Sequence, residues 1–258
     1  MCAETAAKLN NHPPENLAVF ADVEAWIFDL DNTLYPRHSN LFAQIDGKIR
    51  DYVKSALKVS KRQAHDIQKS YYRRYGTTLA GLMREHDIDP DDFLEFVHDI
   101  DHSPVQPDPA LGAAIKRLPG RKFIFTNGSR MHAEKVAARL GVGGHFEDIF
   151  DIAAADLVPK PERETYQRFV NRFDVYPQQA AMFEDLSRNL AVPKSIGMRT
   201  VLIVPQVLGA EAGREVFQHD WEAEGHDAAH VDFVTDDLAS FIGAVGDVVA
   251  QPSTPGAG

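Results

Sequence analysis

The chain has 258 residues, of which 44% are hydrophobic, and a formal net charge of −11. That is enough apolar material for one large domain or a domain carrying an insertion, and the acidic balance argues against a nucleic-acid polymer as partner. Cys2 is the only cysteine, so no intramolecular disulfide can form, which suits a reducing, cytoplasmic setting. Residues 1–22 read as a loose lead-in with room for a short helix. Glu4, Lys8 and Pro13-Pro14 interrupt any apolar core there, so it does not read as a signal peptide. No run approaches the roughly 18 apolar residues of a membrane span. Residues 23–30 are a short apolar run, read as a buried strand. From residue 37 to 104 the texture is helical. Leu41, Ile45, Ile49, Tyr52, Val53 and Leu57 recur at helical spacing, Ser60 can cap a helix running to Tyr75, and Gly76 breaks it. Thr77 can start a third helix to about Glu85, and Pro90 opens a fourth over residues 91–99.

Strand and helix then alternate. Helices are expected at residues 110–118, 131–140 (with Gly141 as C-cap), 162–173, 188–196 (broken early by Pro193) and 237–249. Strands are expected at 122–126, 149–153, 180–184, 200–204 and, at an edge, 232–235. Residues 251–258 are rich in Pro, Gly and Ser and read as a loose tail. Alternation of this kind implies an α/β fold with a mostly parallel sheet covered on both faces. The α/β core is therefore residues 1–36 and 105–258, with 1–22 and 251–258 as tails, and 37–104 is an inserted helical unit.

The chemistry concentrates at strand ends. The first strand closes in Asp29-Leu30-Asp31-Asn32-Thr33-Leu34-Tyr35-Pro36. Side chains alternate along a strand, so two acids spaced two apart point the same way at the end where open α/β sheets bind ligands. Paired carboxylates resist joint ionisation, and a hard divalent cation removes the conflict. Three further strand ends carry polar groups: Thr126-Asn127-Gly128, Lys160 between Pro159 and Pro161, and Glu184-Asp185 with Asn189.

In this order the four stretches resemble the motifs of the haloacid-dehalogenase-like (HAD) phosphohydrolases. The resemblance implies a Rossmann-like core with a C1-type helical cap. It makes Asp29 the nucleophile and Asp31 the general acid/base, with Thr33 supporting them. Thr126, Asn127 and Gly128 would bind phosphate, and Lys160 would stabilise the nucleophile and phosphoryl charge. Asp29, Asp31 (through its backbone carbonyl) and Asp185 would hold Mg2+. Glu184 would hold a water on that metal, and Asn189 would orient Lys160 or the acids. Family members often have Ser directly after the acid pair, where this chain has Leu186 and then Ser187. Loss of Asp31 would have pointed to dehalogenation, which needs no leaving-group acid.

Residues 71–82 resemble the cap segment of pyrimidine 5′-nucleotidase-like members, and Leu34-Tyr35-Pro36 fits that subgroup. Tyr72, Tyr75 and Thr78 are thereby candidates for recognising the organic group. The expected activity is a phosphomonoesterase acting through an aspartyl-phosphate on a small phosphorylated metabolite, a nucleoside monophosphate first. A sugar-phosphate or phosphoglycolate-type phosphatase or mutase is the alternative on the same core, and a catalytically silent binding module is the second. Charge within the insertion is uneven. Eleven Lys/Arg against three acids lie in residues 37–84, then eight acids and no Lys/Arg in 85–101. The basic half could steer phosphate esters inward. The pairs His98/His102 and His226/His230 have zinc-like helical spacing without a third ligand and read as surface histidines.

Overall fold

The computed structural model describes residues 16–205 and 228–250. Its centre is β1 (Ala25–Phe28), whose four residues are all buried, as a strand covered on both faces requires. β2 (Arg121–Phe125) and β4 (Ala180–Glu184) flank it, and β3 (Asp148–Phe150), β5 (Arg199–Ile203) and β6 (Phe233–Thr235) complete the sheet. The order is β3-β2-β1-β4-β5-β6 and every pair is parallel. This is a Rossmann-like α/β sheet with β6 at an edge, as the alternating pattern implied. Strand order reverses between β1 and β4, and ligands bind beyond the carboxyl ends of strands at such a switch point.

Period-two alternation divides the core. Trp26 and Phe28 point to the face covered by α5 (Pro109–Arg117), α6 (Arg130–Leu140) and α9 (Leu238–Val249). Ala25 and Ile27 point to the other face, under α7 (Arg163–Phe173) and α8 (Ser187–Ser195). Local signals set several boundaries. Ser129 accepts from the His132 N–H to cap α6, and Gly141 ends that helix at φ 78°.

Four helices stand between β1 and α5: α1 (Leu41–Leu57), α2 (Lys61–Tyr75), α3 (Thr78–His86) and α4 (Pro90–His98). Ser60 and Gln63 form a capping box at the start of α2, and Asp89 with Pro90 at the first position starts α4. These helices share a hydrophobic cluster built on Val53, Leu82, Phe93 and Val97, which Ile152 from the loop after β3 joins. Gly76 ends α2 at φ +83°. An added Cβ there would lie 3.4 Å from Pro159 and 3.5 Å from the Lys160 carbonyl, so the α2–α3 junction rests on the loop that carries Lys160.

Pro193 does not break α8 early. The helix continues through it to Ser195. Proline lacks the N–H that would have bonded the Asn189 carbonyl one turn back. The Tyr166 hydroxyl donates to that carbonyl instead, at 2.7 Å. Among the described residues no helix is long and apolar enough to cross a membrane. Residues 1–15 of the lead-in, Cys2, His226 and the 251–258 tail lie outside the described residues.

Candidate active site

Asp29 follows β1 directly, and its N–H donates to the Phe183 carbonyl of β4 at 2.9 Å. The site is therefore anchored to the two central strands. Asn32 takes the left-handed conformation at φ 62°, which asparagine tolerates, and turns the chain sharply after Asp31. β2 delivers Thr126 to the neighbouring strand end, where its hydroxyl accepts from the Gly128 N–H at 2.9 Å. β4 delivers Glu184 and Asp185, and the loop after β3 delivers Lys160.

Lys160 is 1% exposed, yet its ammonium is fully engaged. It donates to Asp29 Oδ1 at 2.7 Å, Glu184 Oε1 at 2.8 Å and the Phe125 carbonyl at 2.9 Å. Burial alone would favour the neutral amine, but Asp29 and Glu184 outweigh it and hold the group charged, above its ordinary range. Asp29 is pushed up to about 7. Burial is the main cause, Lys160 opposes it, and Glu184 and Asp31 add to it. Glu184 is fixed on all sides, with Asn189 Nδ2 on Oε1 at 2.6 Å and the Leu186 N–H on Oε2 at 2.7 Å. The Leu186 backbone thus serves the acid directly. Ser187 contacts His230 Nε2 at 2.9 Å, which removes His230 from the free surface expected for it.

Two residues depart from expectation. The Asn127 side chain clamps the Lys160 backbone, donating to its carbonyl at 3.2 Å and accepting from its N–H at 2.8 Å. Its amide is therefore committed to positioning Lys160, and only its backbone faces the role of phosphate donor. Thr33 is buried, and its Oγ1 has no hydrogen-bond partner among the described residues.

Asp29, Glu184 and Asp185 each offer a ligand atom within 4.8 Å of the others, and all three are buried. Hard oxygens at this spacing fit a hard divalent cation. A cation would also offset, by direct attraction, the burial that raises Asp29. Asp31 is outside this group. Arg37, three residues beyond Leu34, reaches Asp185 Oδ2 at 2.7 Å, and Asn32 contacts the same oxygen at 3.4 Å.

Asp31 has its own surroundings. Its Oδ1 accepts from the Tyr35 hydroxyl at 2.5 Å and faces His132 Nε2 at 2.9 Å. Burial would raise Asp31, but His132 and Tyr35 outweigh it and hold the carboxyl below its ordinary range. His98 is buried rather than on the surface, and its ring stacks on His132 with centroids 4.7 Å apart. Burial, with His132 adding, drives His98 down to about 3 and keeps it neutral. His102 is half-buried, 3.1 Å from His132 Nδ1. Neither is poised for zinc; both back the carboxylate site. His132, Tyr35 and Arg37 were not assigned roles from sequence. The available signal was positional: Tyr35 lies four residues after Asp31, and His132 one turn into the helix after β2.

A cavity of about 760 Å3 opens from these groups towards α1–α4. Tyr72 and Thr78 line it, with Phe42, Ile45, Leu79 and Phe93 forming an apolar wall. Tyr75 is not part of this lining. Its hydroxyl donates to Glu85, and Arg74 and Arg84 cover its ring from outside.

The family model for haloacid dehalogenase-like hydrolases matches residues 23–197. The chain is 29% identical over 138 residues to phosphate metabolism protein 8 of Saccharomyces cerevisiae, covering 49% of this chain and 42% of that protein; the match thus spans less than half of the curated relative. Among solved structures it resembles CbbY from Rhodobacter sphaeroides in complex with phosphate, with a TM-score of 0.56, 21% identity and coverage of 87% and 98% of the two chains. It also resembles an L-2-haloacid dehalogenase from Xanthobacter autotrophicus with covalently bound chloropropionic acid, with a TM-score of 0.54, 18% identity and coverage of 88% and 98%. At these identities the structures share the fold. The family match spans most of the chain, and the chain belongs to the haloacid dehalogenase-like hydrolases.

Proposed function

We propose that this haloacid dehalogenase-like hydrolase is a Mg2+-dependent phosphomonoesterase, acting on nucleoside 5′-monophosphates with pyrimidine bases foremost. The observation that carries the reading is Asp31. It stands beside Asp29, one oxygen held by Tyr35 and His132, and no donor among the described residues reaches the other. A dehalogenase has no use for a leaving-group acid, whereas ester cleavage needs one.

In this reading Asp29 attacks phosphorus to give an aspartyl-phosphate, splitting a very slow reaction into two easier ones. Asp31 protonates the departing alkoxide and then deprotonates the water that attacks the phosphoenzyme. Lys160 holds Asp29 in place and neutralises charge on the phosphoryl oxygens, and the Thr126 hydroxyl with the Asn127 backbone N–H donates to them. Asp29, Asp185 and the Asp31 backbone carbonyl hold Mg2+, which supplies further charge neutralisation when bound. Glu184 is committed to Lys160, Asn189 and Leu186, and so acts by holding Lys160 in order.

Residues 37–104 act as the cap, of C1 type, over residues 1–36 and 105–258. The apolar wall of the cavity, with Tyr72 at its side, suits a planar base better than a bare sugar or glycolate. Stacking of one base on an aromatic ring contributes about 1–3 kcal/mol. The test is phosphate release from a panel of nucleoside monophosphates, sugar phosphates, phosphoglycolate and p-nitrophenyl phosphate, with and without Mg2+. Release that needs Mg2+ and is fastest on UMP or CMP supports the whole reading. Sugar phosphates outrunning every nucleotide would remove the nucleotide assignment, and no release from any ester would remove the phosphatase.

A further inference from the structure

We propose that His132, together with Tyr35, is the positioning device for Asp31, holding Oδ1 so that Oδ2 is the oxygen presented to the leaving group. The inference rests on the reading of Asp31 as general acid. Two donors from separate parts of the chain converge on one atom. Tyr35 follows β1 in the turn, His132 sits on α6, and they meet Asp31 Oδ1 at 2.5 Å and 2.9 Å. A carboxylate held at one oxygen from two directions has its side-chain torsion fixed, and the second oxygen is aimed without further ordering when substrate arrives.

The imidazole is itself held at every edge. It is fully buried, 0% exposed, on the α6 face whose neighbours Ala133, Val136 and Ala137 enter the apolar core. A polar ring in such a place is costly unless its nitrogens are satisfied. Both are. His102 Nδ1 lies 3.1 Å from the Ile100 carbonyl, which fixes that ring behind His132. His102 Nε2 lies 3.1 Å from His132 Nδ1, and His132 Nε2–H donates to Asp31 Oδ1, which as a carboxylate oxygen can only accept. His98 closes the flat side, with ring planes 15° apart. Its Nδ1 is tied to the Leu94 carbonyl at 2.9 Å and to Ser129 Oγ at 3.0 Å. The clamp therefore joins α4, α6 and the β1 turn around one carboxyl oxygen. His132 does not line the cavity, so it acts through Asp31 rather than on substrate.

The test compares kcat/KM on two esters: p-nitrophenyl phosphate, whose leaving group needs no acid, and the alkyl phosphate turned over fastest in the panel above. kcat/KM reports the steps through departure of the leaving group. Asp31→Asn sets the scale, with a loss of about 10²–10⁴ confined mainly to the alkyl ester. His132→Ala is expected to lower the alkyl-to-aryl ratio at least tenfold. Tyr35→Phe, which keeps the buried ring, is expected to lower it in the same sense. His132→Gln, which returns an N–H near the Nε2 position, should recover most of the ratio. Equal losses on both esters in His132→Ala and Tyr35→Phe, or failure of His132→Gln to differ from His132→Ala, would make these residues structural only and overturn the proposal. Should His132→Ala not fold, Tyr35→Phe and His132→Gln decide it. A panel with no alkyl turnover at all would instead overturn the general-acid reading, and this proposal with it.

Discussion

At single residues the site is a crowded set of charges. Lys160 is buried between Asp29 and Glu184 at 2.7 Å and 2.8 Å. Removing one partner of a buried ion pair leaves the other uncompensated, at a cost of about 3–5 kcal/mol. Lys160→Met should therefore lose stability of that order in urea unfolding without Mg2+, and should lower kcat more than it raises KM. An effect on KM alone would contradict the role. Tyr72 and Tyr75 looked alike in the sequence, and the structure separates them: Tyr72 lines the cavity while Tyr75 is tied to Glu85 outside it. Tyr72→Ala should weaken nucleotide turnover roughly tenfold, the lower end of a lost stacking contact. Tyr75→Ala should leave the preference of nucleotide over p-nitrophenyl phosphate unchanged, and a joint loss in both variants would mean the two rings only hold the helices together. That Asp29, Lys160, Glu184 and Asp185 gather at one end of the sheet was legible from four polar stretches in order at strand ends, although each stretch is weak alone. Arg37 and His132 were not, because their contacts lie 148 and 101 residues away along the chain. The part the Asn127 side chain plays in holding the Lys160 backbone was not legible, because a side-chain amide can serve a ligand or a loop equally well.

At the scale of elements, the α2–α3 junction meets the Lys160 loop at Gly76. Its φ of +83° disfavours any Cβ by about 1–2 kcal/mol. Gly76→Ala should lower stability by about that much in thermal melts and, as the strained junction shifts against the Lys160 loop, reduce kcat. Full activity with lost stability would show that the junction does not position Lys160. Helix starts were readable from Ser60 and Thr77, whose oxygens accept backbone N–H groups as caps, and from Pro90 at a first helical position. The extent of α8 was not. Pro193 is a local stop signal, and it is overruled by Tyr166, a residue on α7 that takes over the bond proline cannot make. Tertiary contacts of that kind carry no trace in a local window.

At the scale of the whole molecule, the parallel sheet followed from the alternation of strands and helices, while the strand order did not, since several right-handed arrangements share one alternation. The order found places β1 and β4 side by side and so brings Asp29 to Glu184 and Asp185. In the proposed reading those buried acids would couple Mg2+ binding to folding. Any ligand that binds only the folded chain stabilises it, by about 2.7 kcal/mol at a hundredfold excess over Kd. Mg2+ should therefore raise Tm in a dose-dependent way, and Asp185→Asn should abolish most of the rise. An equal rise in that variant would place the cation elsewhere. The central claim is that Asp29 carries the phosphoryl group. It is tested most directly by acid-quenching the enzyme during turnover of p-nitrophenyl phosphate with Mg2+, reducing with borohydride and mapping the peptides by mass spectrometry. An aspartyl-phosphate is reduced to homoserine, so residue 29 should appear as homoserine only when substrate is present. Homoserine at another acid, or an unmodified Asp29 in enzyme quenched while releasing phosphate, would contradict the account.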